Sequence, residues 1–400
     1  MSERVDTGAF PIDIGAASVP RVEADFVFTF SYETYSDAVR RGMMRPPDRI
    51  LASLMHSPEV RRLLVANPFR WFPRIAATPL LDRDAPFPSS GRMSLHRPAR
   101  ARRDDPTDVA AIAAAYRAYD RSLLRAARKL GLVDPYAITT NPLVAGYAPF
   151  DWASGVTFFA RDDWSSSPAR EAYWPAYRDA YRRIAESGRP VAAVSAEIID
   201  RIAPTGPHEV VPNGVEPSEW LGPLPAEPDW FAALPGPRAV YVGTLDSRLD
   251  VPGIADLARR RPDLQVLLLG PLPDPAYVAE LASLPNVHVH PSVGRAELVS
   301  TLRNADLCLL AHRRTPLTEA MSPLKVYEYL AAGAPVIATD LPPVRGIDDR
   351  VLLVSTVDDF ADVVPDALAL GRAAETQRTA FIAGNSWAAR HERVFALARS

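Results

Sequence analysis

The sequence predicts an α/β fold of two doubly wound domains, each built on a parallel sheet. Three observations predict it. The chain has 400 residues, more than one ordinary hydrophobic core accommodates, so two compact domains are expected. Short, nearly continuous apolar runs alternate with segments of helical periodicity, the pattern of strands covered on both faces. A proline-rich stretch, Glu216 to Pro237, separates two such series.

In the first series, strands are expected at Asp25 to Ser31, Val60 to Asn67, Tyr136 to Asn141, Val156 to Ala160 and Val191 to Ser195. The clearest helix spans Thr107 to Leu130, where Val109, Ile112, Tyr116, Tyr119, Leu123, Ala127 and Leu130 recur at three- and four-residue spacing. Asp108 suits its start and Gly131 its stop. Residues 71–103 carry many Pro, Arg and Ser and little periodicity, and read as an irregular excursion. Six prolines within 216–237 stiffen the chain against a regular helix, which makes that stretch the linker. The second series has strands at Ala239 to Gly243, Leu264 to Gly270, Val287 to His290, Asp306 to Ala311, Pro335 to Asp340 and Val351 to Ser355. In such sheets ligands bind beyond the carboxyl ends of the strands, so the loops after Gly243, Gly270, Ala311 and Asp340 are the informative ones.

Composition narrows the function classes. Hydrophobic residues at 48% and charged residues at 23% describe an ordinary folded chain. A net charge of −3 argues against an electrostatic nucleic-acid binder, and the basic run Arg97 to Arg103 reads as a solvated loop. The single cysteine, Cys308, lies in an apolar run and behaves as a small hydrophobe, so neither a disulfide nor a cysteine metal cluster can form within the chain. Glu3 and Asp6 open the chain without a signal-peptide layout, and no stretch reaches a membrane-spanning length. A cytoplasmic location is expected, with peripheral membrane contact left open. The seven histidines are scattered without a metal-ligand pattern.

Lysine occurs only at Lys129 and Lys325. The second sits at the start of a helix, Leu324 to Ala332, that follows Ser322-Pro323 and stops at Gly333 before Pro335. Its N-terminus points into the ligand crevice. Free amides there, the helix dipole and Lys325 favour an anion such as a diphosphate. Glu328, one turn on, can accept the two hydroxyl bonds of a ribose diol. A bland pairing of Lys325 with Glu328 on the helix surface stays open on these residues alone.

The run Ser322-Pro-Leu-Lys-Val-Tyr-Glu-Tyr-Leu-Ala-Ala-Gly-Ala-Pro-Val-Ile-Ala-Thr-Asp340 resembles the donor-site block of retaining glycosyltransferases of family 4 (group 1). Val211-Pro-Asn-Gly-Val215, Ala193-Val-Ser195 and Asn304-Ala-Asp306 are similar to that family as well. The resemblance implies the GT-B fold: two Rossmann-like domains, here 1–215 for the acceptor and 238–384 for the nucleotide-sugar donor, facing a central cleft. Residues 385–400 are then expected to form a helix that returns to the first domain. The resemblance further implies transfer of a hexose-type sugar from a UDP, GDP or dTDP sugar to an acceptor hydroxyl, with retention, and with no metal or other cofactor. Glu328 matches the ribose-binding glutamate, and Met321, Ser322, Pro323 and Leu324 match the diphosphate-binding turn, with Lys325 beside it. Gly243, Thr244 and Arg248 occupy the loop that faces the phosphates, with an Arg248 paired to Asp246 or Asp250 as the alternative. His312 follows the strand nearest that loop.

The pattern also departs from the family. The position of the first donor-motif glutamate is Ala320, with Glu319 one residue short of it. The family's N-domain histidine has no counterpart, and no glycine-rich loop follows the first strand. Asp162 and Asp163 end a strand facing the cleft and are the candidate catalytic acids, against a helix-entry cap as the alternative. A non-catalytic nucleotide- or partner-binding subunit and a nucleotide-sugar epimerase are the competing functions.

Overall fold

A computed structural model describes residues 23–71, 85–103 and 105–400. The acidic start at Glu3 and Asp6 and the middle of the 71–103 excursion lie outside the described residues. Two parallel sheets organise the rest.

The first sheet has seven strands: β1 (Ala24–Thr29), β2 (Val60–Ala66), β3 (Met93–His96), β4 (Tyr136–Thr139), β5 (Gly155–Ala160), β6 (Val191–Ala193) and β7 (His208–Val210). Their order is β3-β2-β1-β4-β5-β6-β7, and every pairing is parallel. The second sheet holds β8 (Arg238–Val242), β9 (Gln265–Leu269), β10 (Val287–His290), β11 (Leu307–Leu310), β12 (Val336–Thr339) and β13 (Val351–Val354). Its order, β10-β9-β8-β11-β12-β13, is the same doubly wound arrangement, again wholly parallel.

Side-chain alternation sends each strand's residues to two cores. On β1, Phe26 and Phe28 pack on one face with Phe395, and Val27 packs on the other with Tyr119 and Leu123. On β8, Tyr241 faces Leu268 and Phe360, while Val240 faces Tyr329 and Trp220. Helices cover both faces: α1 (Pro46–His56), α2 (Val109–Leu130) and α3 (Ala196–Ile202) on the first sheet, α4 (Arg295–Arg303) and α5 (Leu324–Ala332) on the second. In α2 the Asp108 carboxylate accepts from the Ala111 amide, and Gly131 closes the helix at φ 73°.

Two sequence expectations need correction. The excursion after Trp71 is not wholly irregular: it supplies β3, which pairs with β2 and forms the edge of the first sheet. Its apolar signal is only Met93 and Leu95 in four residues, too short to register as a run. The proline-rich stretch is not an open spacer. It contains helical turns at Pro217–Trp220 and Asp229–Ala232, and Trp220 and Phe231 are fully buried in the core under the second sheet.

The last helix, α6 (Trp387–Ala398), lies against α1 and the first sheet. The chain crosses over through a parallel bridge between Val215 and Ser386. His391 Nδ1 then meets Ser53 Oγ at 2.6 Å, and Arg399 pairs with Glu59 at 2.7 Å. The C-terminus thus braces the two units on the side of the linker.

Candidate active site

Parallel strands place their carboxyl ends on one edge, and the two sheets present these edges to each other. At the centre of the second sheet the backbone packs without side chains. A Cβ at Gly270 would lie 2.2 Å from the Gly243 carbonyl oxygen, and one at Gly243 would lie 2.7 Å from Lys325 Nζ. Both glycines have φ near +150°, so the close approach needs glycine on steric and conformational grounds. The approach lets Lys325 reach over the end of β8.

Lys325 Nζ stands 4.0 Å from the centroid of the Tyr241 ring and 3.2 Å from His312 Nε2. Burial is the main force that drives the Lys325 ammonium down to about 7, with the nearby Arg248 guanidinium adding to it. Burial also pushes His312 well below its ordinary value, helped by Lys325 and Arg248. His312 is therefore the neutral partner, accepting at Nε2 from the lysine. Its Nδ1 is buried with no hydrogen-bond partner, an arrangement that carries a cost unless something else arrives.

Helix α5 starts beside this lysine. Pro323 is its N-cap and offers no side-chain cap bond, so its first amides face the crevice uncapped. Gly333 ends it at φ 90°. The preceding turn is tied to the first unit: Asn213 Nδ2 donates to the Ser322 carbonyl at 2.7 Å, and Ser195 Oγ donates to the Ala320 carbonyl at 2.6 Å. Met321 packs its sulfur 3.9 Å from Arg248 Nη1.

Arg248 is held by Asp246 through two bonds, 2.9 Å from Nε and 2.7 Å from Nη2. Of the two acids left open by the sequence, Asp246 is thus the partner. Nη1 remains directed at the turn that carries Met321. Thr244 and Gly243 line the same loop, where the Gly243 amide donates to Leu269 at 3.0 Å. Gly243, Arg248, His312, Met321 and Lys325 therefore share one crevice.

Glu328 does not pair with Lys325. Its Oε1 accepts from Arg295 Nη1 at 2.6 Å, and its side chain keeps one tenth of its surface exposed. Sequence reasoning missed Arg295, which stands at the start of α4 without a motif around it. Tyr241 was also missed, because a tyrosine inside an apolar strand reads as core.

The two candidate acids part company. Asp163 is fully buried, its Oδ1 accepts from the Ser165 amide at 3.1 Å and hydroxyl at 2.7 Å, and its Oδ2 is bound by Arg201. Both of its oxygens are thus engaged inside the protein, the arrangement of the helix-entry cap that the sequence offered as the alternative. Arg201 reaches on to the Pro316 carbonyl at 3.1 Å and so fastens the first unit to the second. Asp162 stays partly exposed with Arg161 Nε at 3.5 Å, and its charge is felt by Arg248 from across the cleft.

Ala320 is fully buried and packs into the core of the first unit with Ile198 and Ile199. Its side chain faces protein and not the crevice. Among the described residues no group of three or more His, Cys, Asp or Glu could hold a metal ion. No helix of the described residues is long and apolar enough to cross a membrane.

Comparison with known proteins gives this geometry its context. Residues 236–369 match the family model described as glycosyl transferases group 1. A Bacillus subtilis (strain 168) protein named for a glycosyltransferase role in teichuronic acid biosynthesis, TuaH, is 33% identical over 104 residues, 26% of this chain and 26% of that protein. The alignment thus spans about a quarter of that relative. Among solved structures, sucrose-phosphate synthase from Thermosynechococcus elongatus superposes with a TM-score of 0.65 at 16% identity, covering 94% of this chain and 98% of that one. A trehalose-6-phosphate protein from E. coli bound with UDP-2-fluoro glucose gives 0.65 at 14% identity, covering 94% and 99%. These two likenesses are of fold, and the fold is GT-B.

Proposed function

We propose that this chain, whose residues 236–369 are a group 1 glycosyltransferase domain within a GT-B fold, transfers a hexose-type sugar from a nucleoside diphosphate donor to an acceptor hydroxyl, with retention. The observation that carries the reading is Lys325. It is a half-buried lysine at an uncapped helix end, over a ring and beside a neutral histidine, and none of the carboxylates among the described residues is bonded to it. Such a site is costly to build unless an anion completes it. The E. coli protein of the same fold binds UDP-2-fluoro glucose, which supports a diphosphate sugar as that anion.

In this reading the α5 amides, Lys325 and Arg248 hold the diphosphate, and Glu328 holds the ribose. The anomeric carbon leaves its phosphate oxygen and takes the acceptor oxygen. Negative charge grows on the departing diphosphate, where a preorganised cation and helix end lower the barrier without reorganising. Asp162, across the cleft, orients the acceptor hydroxyl or takes its proton. The domain limits read from the sequence, with the acceptor bound by residues 1–215 and the donor by 238–384, belong to this proposal. So does the choice among UDP, GDP and dTDP.

Calorimetry of the three nucleoside diphosphates against wild type and Glu328→Ala tests the donor site. Binding by wild type and at least tenfold weaker binding by the variant are expected, the scale of a lost charged hydrogen bond. Undiminished binding removes the ribose assignment. A second reading, a nucleotide-binding subunit without turnover, is favoured by Ala320, which leaves the family's first glutamate position filled by a buried methyl. Release of nucleoside diphosphate that depends on an added acceptor excludes that reading. Product formed from donor alone would instead indicate an epimerase.

A further inference from the structure

We propose that Arg295 is the positioning residue for the donor-site carboxylate Glu328, holding it for a ribose diol and away from Lys325, and that Glu219 in turn holds Arg295. The proposal rests on the donor-site reading above.

Glu328 and Lys325 sit three residues apart on α5, a spacing at which opposite charges normally meet on a helix surface. Here they do not, although the Glu328 charge still acts on Lys325. The Glu328 carboxylate is drawn to the far side by Arg295 Nη1 at 2.6 Å. Arg295 has no slack to follow it back. Its Nε and Nη2 both donate to Glu219 Oε2, at 3.0 and 2.5 Å, and its guanidinium lies 5.1 Å over the Trp220 ring. Nε, Nη1 and Nη2 are thus all committed, and the planar fork is fixed by stacking as well as by bonds.

Glu219 is fixed too. It lies on the Pro217–Trp220 turn, whose Trp220 is fully buried, and its Oε1 is bound by Arg49 of α1. The series Arg49, Glu219, Arg295, Glu328 alternates in charge and runs from the first unit to the donor helix. Its side chains are between 10% and 23% exposed, so solvent screening weakens it less than an ordinary surface pair.

The chemical consequence is separation of two recognition tasks. With Oε1 held, Oε2 and the second lone pair of Oε1 remain to accept from two adjacent hydroxyls. Lys325 is left whole for the diphosphate. Without Arg295 the carboxylate would fall toward the ammonium, and each would cancel the other's hold on the donor.

The test measures binding of a ribonucleoside diphosphate, its 2′-deoxy analogue and inorganic pyrophosphate to the full chain by calorimetry. Wild type is expected to prefer the ribonucleotide by about ten- to a hundredfold. Arg295→Met should reduce that preference to the level of Glu328→Gln, and the double variant should show no further loss. Pyrophosphate affinity measures the separation directly: Glu328→Gln should leave it within a few-fold of wild type, and Arg295→Met should lower it as the carboxylate closes on Lys325. A retained ribo/deoxy ratio in Arg295→Met overturns the proposal while leaving the Glu328 assignment standing. Equal affinity of wild type for both nucleotides removes the ribose-diol assignment and this proposal with it, and no binding of either overturns the donor-site reading as a whole. Should Arg295→Met not fold, Arg295→Lys keeps the charge but loses the fork, and an unchanged ratio there is equally fatal.

Discussion

The two sheets share one topology, yet their facing edges are finished in opposite ways. At the edge of the first sheet most strand-end polar groups satisfy one another, with the Trp164 indole N–H left without a partner. Thr29 donates to Thr139 at 2.6 Å, Ser31 to the Thr140 carbonyl at 2.6 Å, and Asn141 bridges the Ser31 carbonyl and the Leu143 amide. Asp163 is closed by Ser165 and Arg201. At the edge of the second sheet, Lys325, His312 Nδ1 and the first turn of α5 are left with unused bonding capacity. Buried polar groups are normally paired. In the proposed reading the second edge is the one that an anion completes.

The largest test of that contrast is to place a charge where the first unit closes on the second. Ala320→Glu recreates the glutamate that the family pattern puts at this position. Because Ala320 is fully buried against Ile198 and Ile199, the new carboxylate has no partner, and a loss of about 3–5 kcal/mol in urea unfolding is expected. A variant as stable as wild type with improved turnover would mean that the side chain reaches the crevice after all.

Asp162 and Asp163 test the contrast within one dipeptide. Asp162→Asn should lower turnover by about a hundredfold with little change in stability. Asp163→Asn should do the reverse, costing about 1–3 kcal/mol because the amide keeps one acceptor oxygen and its NH2 then faces either Arg201 or Ser165, with nucleotide affinity unchanged. An exchange of these outcomes would reverse the assignment. On the other edge, Lys325→Met should weaken nucleoside diphosphate binding about ten- to a hundredfold, the scale of one charge-assisted contact.

The contrast also explains what could be read from sequence. Helix α5 was legible because a proline start, a glycine stop and an apolar strand follow one another within twenty residues, and these are local signals. Eleven of the thirteen strands in the two sheets were legible for the same reason, as apolar runs bounded by turns. β3 and β7 were not, since short edge strands bury little and carry mixed residues. Lys325 stood out by its rarity and Glu328 by its motif. Arg295, Glu219 and Arg49 carried no signal, because their meaning lies in contacts across 33, 76 and 170 residues of chain. Asp163 misled for a related reason: a strand-end acid has the same local sequence whether its oxygens are free or already taken.

The smallest expected effect is also the most specific to the second edge, and it concerns pH. Lys325 titrates at about 7, below its ordinary 10.5, chiefly through burial. The unfolded chain therefore binds more protons than the folded one between about 7 and 10.5, and this group's contribution to the stability of the unliganded protein rises with pH across that window. Diphosphate binding depends on pH in the opposite sense, because the bound anion stabilises the ammonium and raises the lysine's pKa in the complex above its value in the free protein. Donor affinity should then be complete below about 7 and fall by up to about tenfold per pH unit above it, until the pKa of the complex is reached. The other groups around Lys325 are Arg248, Asp246, Glu328, Tyr241 and His312. His312 is held neutral through the window, and burial pushes the Tyr241 hydroxyl above it. Calorimetry with the intact sugar nucleotide, whose diphosphate keeps its charge over this range, should show proton uptake near pH 8. The uptake should disappear in Lys325→Met, and its persistence there would assign the titration to another group.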